Sequence, residues 1–131
     1  MINFKRLLKS FGYAWHGLLK TWQEEQNLQV HTFAGILAVI CGFLLRISEL
    51  EWLILILTIL LVLLMEVVNS AIERVTDILK PRIHGYVKEI KDIMAAAVML
   101  SALGAVVVGG IIFLPKIFDL VVTCYLGKNL L

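Results

Sequence analysis

The chain has 131 residues, a formal net charge of +2 and a hydrophobic fraction of 60%. A soluble domain carries roughly 45–50% apolar residues, and three long apolar runs exclude a soluble protein in favour of a one-domain integral membrane protein, residues 1–131. No nucleic-acid partner is expected, and where the charges fall matters more than their sum.

Lys5, Arg6, Lys9 and Lys20 precede the first run, and Arg74, Lys80, Arg82, Lys88 and Lys91 lie between the second and third. Arg46 alone occupies the first connection, and only Lys116 and Lys128 follow the third run. This bias predicts a cytoplasmic N-terminus, a cytoplasmic 74–92 segment and an external C-terminus. Met1–Lys20 has no continuous apolar stretch of the kind a cleaved signal peptide carries. Cys41 and Cys124 are isolated and far apart, so neither a disulfide nor a cysteine metal site is expected.

In chain order, residues 1–27 predict an amphipathic surface helix. Phe4, Leu7, Leu8, Phe11, Trp15, Leu18, Leu19 and Trp22 recur at helical spacing with basic residues between them. An apolar stripe flanked by basic and aromatic groups suits a helix lying in the membrane surface. A helix packed on its own protein is the plainer alternative. Residues 28–45 predict the first span, and Arg46–Glu51 a tight external turn. Residues 50–72 predict the second span. Pro81 and Gly85 mark the cytoplasmic loop. The third span covers 93–114, with Pro115 and Lys116 as its close. Its Ala95, Ala96, Ala97, Ser101, Ala102, Gly104, Gly109 and Gly110 permit close helix approach in lipid.

Against this apolar background the run Glu66-Val67-Val68-Asn69-Ser70-Ala71-Ile72-Glu73 stands out. Glu66, Asn69 and Glu73 fall at i, i+3 and i+7, on one face of a helix. A helix starting near Leu50 has climbed ~24 Å of a ~30 Å hydrocarbon layer by Glu66. A charge at the bilayer centre costs roughly 2.5–3.5 kcal/mol on insertion scales, so such a carboxylate is a functional candidate by default. Glu66 then lies on the lipid side of the cytoplasmic interface and Glu73 on the water side. Glu24 and Glu25 end the surface helix at the same plane, and Asp77, Lys91 and Asp92 also reach it. Carboxylates, an amide and a lysine at one boundary suit a magnesium–phosphate site, with Glu66 placed to accept a proton from a lipid hydroxyl. The bland readings remain beside this one: Glu73 and Asp77 as a solvated helix end, Lys91 and Asp92 as an interfacial cap, Asn69 as interhelical glue. His31 and His84 fit interfacial hydrogen bonding better than ligation, and the tryptophans fit an interfacial belt. No Walker or kinase glycine loop is present.

Glu66 to Glu73 resembles the signature Glu-x-x-Asn-(Ser/Thr)-Ala-Ile-Glu of the prokaryotic diacylglycerol kinase family, which includes undecaprenol kinases. Lys91-Asp92 followed by Ala95-Ala96-Ala97-Val98, and Gly12-Tyr13-Ala14-Trp15-His16-Gly17-Leu18 with Glu25 beyond it, are similar to further family motifs. The resemblance spans roughly residues 4–115. It implies an all-α lipid kinase that phosphorylates a lipid hydroxyl at the cytoplasmic face of the bacterial inner membrane, with ATP as donor and Mg2+ as cofactor. It also implies a homotrimer with shared active sites. By the same resemblance Glu66 is the catalytic base, and Glu25 and Glu73 bind the metal and nucleotide. Lys91, Asp92 and His84 contact the nucleotide, and Asn69 supports Glu66 and the lipid. Arg6 and Tyr13 approach the nucleotide, Arg6 also the lipid. Arg82 and Ile83 depart from the enterobacterial pattern beside His84. Glu25, Asn27 and His31 resemble the undecaprenol kinase branch, although Leu28, Gln29 and Val30 do not; Ala95 stands where the diacylglycerol branch tends to have serine. Undecaprenol is the favoured substrate and diacylglycerol the alternative. A non-enzymatic proton or cation pathway through Glu66 and Glu73 is the reading from another class.

Overall fold

Long runs of Leu, Ile and Val broken only at 45–48 and near Pro81 leave the backbone little choice but helix, since a lipid-facing segment must satisfy its own amides. The computed structural model describes residues 3–79 and 84–128. It contains α1 (Phe4–Glu24), α2 (Gln26–Leu44), α3 (Glu49–Leu79) and α4 (His84–Lys128), with no strand among the described residues. Parts of α2, α3 and α4 are long and apolar enough to cross a membrane. Cys41 and Cys124 are both free and exposed.

Helix α1 is capped by Asn3, whose Oδ1 accepts from the Arg6 amide at 3.2 Å. Its apolar stripe is largely exposed, with Phe4, Phe11 and Trp15 all open to the surroundings. Glu25 breaks the helix in an extended conformation and starts α2. The corner is stitched by the Glu25 amide donating to Thr21 O at 2.9 Å and Gln29 Nε2 donating to Trp22 O at 2.9 Å.

At its other end α2 stops through a Schellman turn. The Ile47 amide donates to Gly42 O at 3.2 Å and the Arg46 amide to Phe43 O at 3.3 Å, with Arg46 at φ 49° in the left-handed region. Ser48 and Glu51 then form a reciprocal capping box: the Ser48 amide donates to Glu51 Oε2 at 2.6 Å and the Glu51 amide to Ser48 Oγ at 3.4 Å. Lys116 of α4 reaches the same carboxylate at 3.1 Å.

Helix α3 packs chiefly on α4, and α2 lies against α3. The α3 seam runs Leu55, Ile59, Val62, Glu66, Asn69, Glu73, Thr76, alternating steps of four and three; every one is buried or half-buried. The α4 seam, Val87, Lys91, Met94, Val98, Ser101, Ala105, Val108, Ile112, keeps the same alternation and is likewise buried or half-buried. Such spacing is that of a left-handed coiled-coil contact. Ile47, Leu55 and Ile112 form the tightest core, bordered by Ala38, Trp52, Ile59 and Val108. Gly42 lets the Trp52 ring close: a Cβ there would stand 2.9 Å from its Cη2.

Three helix boundaries run past the sequence expectation, the first being that α3 continues to Leu79, inside the 74–92 stretch expected as loop. Helix α4 starts at His84, inside the stretch expected as loop, and it runs on through Pro115 to Lys128. Proline deprives the Ile111 carbonyl of its helical donor, a loss that membrane helices tolerate.

Candidate functional site

The α3 seam is apolar up to Val62 and polar from Glu66, so one helical face both packs the bundle and carries the polar cluster. Glu66 is 4% exposed and Ser70 2%. Across from Glu66, on the second turn of α2, stands His31, with Nε2 3.2 Å from Glu66 Oε1. The approach is off the N–H axis, so Oε1 has no aligned donor among the described residues. One turn on, Asn69 Nδ2 donates to Glu73 Oε1 at 3.3 Å, while Asn69 Oδ1 is buried without a partner there. Ser70 Oγ donates to Glu25 Oε1 at 2.8 Å, which docks the α1–α2 corner onto α3. Arg74 Nη2 lies 3.0 Å from Glu24 Oε2 and 3.9 Å from Glu25 Oε1. Glu25 and Glu73 are both near enough for their charges to act on Glu66.

The structure therefore brings Glu25, Glu66, Asn69 and Glu73 to one end of the bundle. Each metal candidate, Glu25 and Glu73, uses Oε1 in a hydrogen bond, and its Oε2 is engaged by no donor among the described residues. Among those residues no group of three or more acidic, histidine or cysteine side chains is assembled for a metal. Two carboxylates with spare oxygens suit magnesium, whose remaining ligands come from phosphates and water.

Other candidates lie apart. Lys91 faces the seam and donates to Asp77 at 2.7 Å, whereas Asp92 is exposed and lines a shallow depression with Gly85, Lys88 and Glu89. Adjacent residues on a helix point ~100° apart, so the pair does not share a face. Arg6 and Tyr13 are exposed on α1, with Lys9 Nζ 5.9 Å above the Tyr13 ring. Among the described residues no hydrogen bond or ion pair joins Arg6 or Tyr13 to the α3 cluster. His84 opens α4, and its side chain lies outside the described residues; Arg82 and Ile83 lie outside them altogether.

Below His31 an apolar groove of about 230 Å3 runs between α2, α3 and α4, lined among others by Gly35, Val62, Ala102, Ala105 and Gly109. Its small side chains leave room for a hydrocarbon chain whose polar end would meet His31, the groove residue that stands 3.2 Å from Glu66. Sequence reasoning did not single out Ser70, Arg74 or Glu66's partner His31 as site residues. Ser70 lies in the signature run itself, and Arg74 one residue past it; their partners sit at the α1–α2 corner, far away in sequence.

A family model for prokaryotic diacylglycerol kinase matches residues 12–113. The undecaprenol kinase of Bacillus subtilis is 38% identical over 115 residues, 88% of this chain and 94% of that protein. The diacylglycerol kinase of Synechocystis is 38% identical over 117 residues, 88% of this chain and 67% of that protein. The diacylglycerol kinase of Escherichia coli K12 is 33% identical over 105 residues, 80% of this chain and 86% of that protein.

Proposed function

Because the chain belongs to the prokaryotic diacylglycerol kinase family, and so is a lipid kinase, we propose that it phosphorylates undecaprenol with ATP, yielding undecaprenyl phosphate and ADP. The observation that carries the mechanism is the buried Glu66 carboxylate 3.2 Å from His31, a residue that lines an apolar groove. There it takes the proton of the lipid hydroxyl while that oxygen forms its bond to the γ-phosphorus and the bond to the β-phosphate oxygen breaks. Asn69 and Glu73, joined at 3.3 Å, order the next turn of α3 beneath the phosphates. Glu25 and Glu73 are the residues that would hold magnesium. That ion, when bound with ATP, neutralises charge on the phosphates. Lys91, one turn of α4 from Val87, adds positive charge beside the transferred group. Asp92 and His84 complete the nucleotide side, with Arg6 and Tyr13 approaching from α1.

Undecaprenol is preferred over diacylglycerol on two grounds. The match to the Bacillus undecaprenol kinase covers 94% of that protein, against 67% of the Synechocystis diacylglycerol kinase at equal identity. Glu25, Asn27 and His31 also follow the undecaprenol branch; Glu25 accepts from Ser70 at the α1–α2 corner and His31 stands 3.2 Å from Glu66. Family membership disfavours the proton or cation pathway. The active unit is a homotrimer in the bacterial inner membrane, its sites shared between copies and open to the cytoplasm. The small-residue face of α4, where a Cβ on Gly104 would meet nothing within 4 Å, supports close approach of a neighbouring helix.

Purified protein in mixed micelles with Mg-ATP should release ADP only when a lipid acceptor is present, and faster with undecaprenol than with diacylglycerol. Absence of lipid-dependent ADP release with both acceptors would overturn the reading. A reversed preference would overturn the choice of substrate alone.

A further inference from the structure

A buried carboxylate that must present one oxygen to a substrate needs its orientation fixed by something else. Among the described residues, the single donor near Glu66 is His31, with Nε2 at 3.2 Å from Oε1. The other polar side chains of this stretch of α2 are already committed. Gln29 donates to Trp22 O at 2.9 Å and Thr32 to Leu28 O at 2.7 Å, both turned back onto backbone. His31 is therefore the donor that α2 sets against Glu66 among the described residues, Gln26 and Asn27 lying at exposed positions. Its imidazole also lines the apolar groove, so it stands where a lipid head would pass into contact with Glu66.

We propose that His31 is a positioning residue for the phosphoryl transfer: its Nε2–H donates to Glu66 Oε1 and turns Oε2 toward the lipid hydroxyl. This rests on Glu66 being the base in the proposed reaction. The arrangement requires the tautomer protonated at Nε2, with that N–H turned onto Oε1. The neighbouring charges that face the pair are Glu25, from the corner before α2, and Glu73, from α3. Neither is a donor, so neither can replace His31.

Two variants separate positioning from packing. His31→Leu keeps bulk and removes the donor; His31→Gln places an amide N–H where Nε2–H stands. Loss of an orienting partner typically costs ~10–100-fold. On that basis His31→Leu should lower kcat about that much with the KM for Mg-ATP changed less than about twofold. His31→Gln should recover most of the loss. Equal rates for the two variants, or a change confined to KM, would overturn the proposal. A second readout needs no turnover. In protein carrying 15N-labelled histidine side chains, Glu66→Gln should shift the His31 Nε2 resonance and leave those of His16 and His84 in place. An unmoved His31 resonance overturns the proposal whatever the lipid assay gives. Wild-type protein that turns over neither lipid, but shows the shift, retains the contact and loses the kinase assignment instead.

Discussion

The two ends of the α3 seam obey one spacing and opposite chemistry. From Leu55 to Val62 the seam is apolar and meets Ile112 and Val108 of α4, with the Phe43 and Trp52 rings tilted at 53° and 4.7 Å between centroids nearby. The charged and capping groups beside that half are mutually satisfied, Ser48 with Glu51 and Glu51 with Lys116. From Glu66 to Thr76 the same positions hold two carboxylates, an amide and a hydroxyl. Among the described residues Asn69 Oδ1 is buried there with no partner, and Glu66 Oε1 and Arg74 Nη2 meet His31 and Glu24 at 3.2 and 3.0 Å without an aligned hydrogen bond. A buried polar atom without a partner costs about 1–3 kcal/mol. Chains that retain such a cost do so at sites where local rules are relaxed for function. One half of the seam thus holds the bundle, and the other is the half to which the proposed reaction is assigned.

The sharpest way to break that contrast is Glu66→Gln. General-base help is typically worth 10²–10⁴-fold, so lipid-dependent ADP release should fall by about that factor. Replacing a buried carboxylate by its neutral isostere removes a desolvation cost. Thermal unfolding in detergent should therefore show a midpoint unchanged or raised. A variant that fails to fold while the rest of the seam is intact would make Glu66 a structural residue and erase the distinction between the halves.

Much of this was legible in the chain. The placement of Glu66, Asn69 and Glu73 on one face follows from their spacing alone, and the helix order follows from the apolar runs. What the spacing does not carry is register between helices. Ser70 and Glu25 are 45 residues apart, and nothing in either local pattern says that they meet at 2.8 Å. The same holds for His31, which reads as an interfacial histidine until α2 is laid against α3. Pro115 misleads for a different reason: a proline marks a stop in a soluble helix, but in an apolar helix one lost amide bond is cheaper than exposing several. Lys91 and Asp92 are neighbours in sequence and for that reason face apart.

The holding half makes its own prediction. Gly42→Ala would drive a methyl to 2.9 Å from the Trp52 ring and 3.1 Å from Ile47 Cδ1, both in the tight corner of the bundle. The ring is rigid and Ile47 is buried, so overpacking should cost about 1–3 kcal/mol. The unfolding midpoint should drop while kcat per folded molecule stays near wild type. A fall in kcat with an unchanged midpoint would mean that the two halves are coupled rather than separate.

Arg46→Gly is the smallest change and runs the other way. Arg46 holds φ 49° at the end of the Schellman turn, where an L side chain crowds the following carbonyl at ~1–2 kcal/mol. Glycine removes that crowding, and its extra freedom in the unfolded chain takes back ~0.5–1 kcal/mol. A net gain of about 0.5–1 kcal/mol should appear as a modestly higher midpoint, with activity untouched because the turn lies at the far end of α3 from Glu66. A lower midpoint would show that the arginine side chain holds this corner through contacts worth more than its backbone strain. The depression beside it, lined by Leu45, Arg46, Lys116 and Asp119, is where such contacts would form.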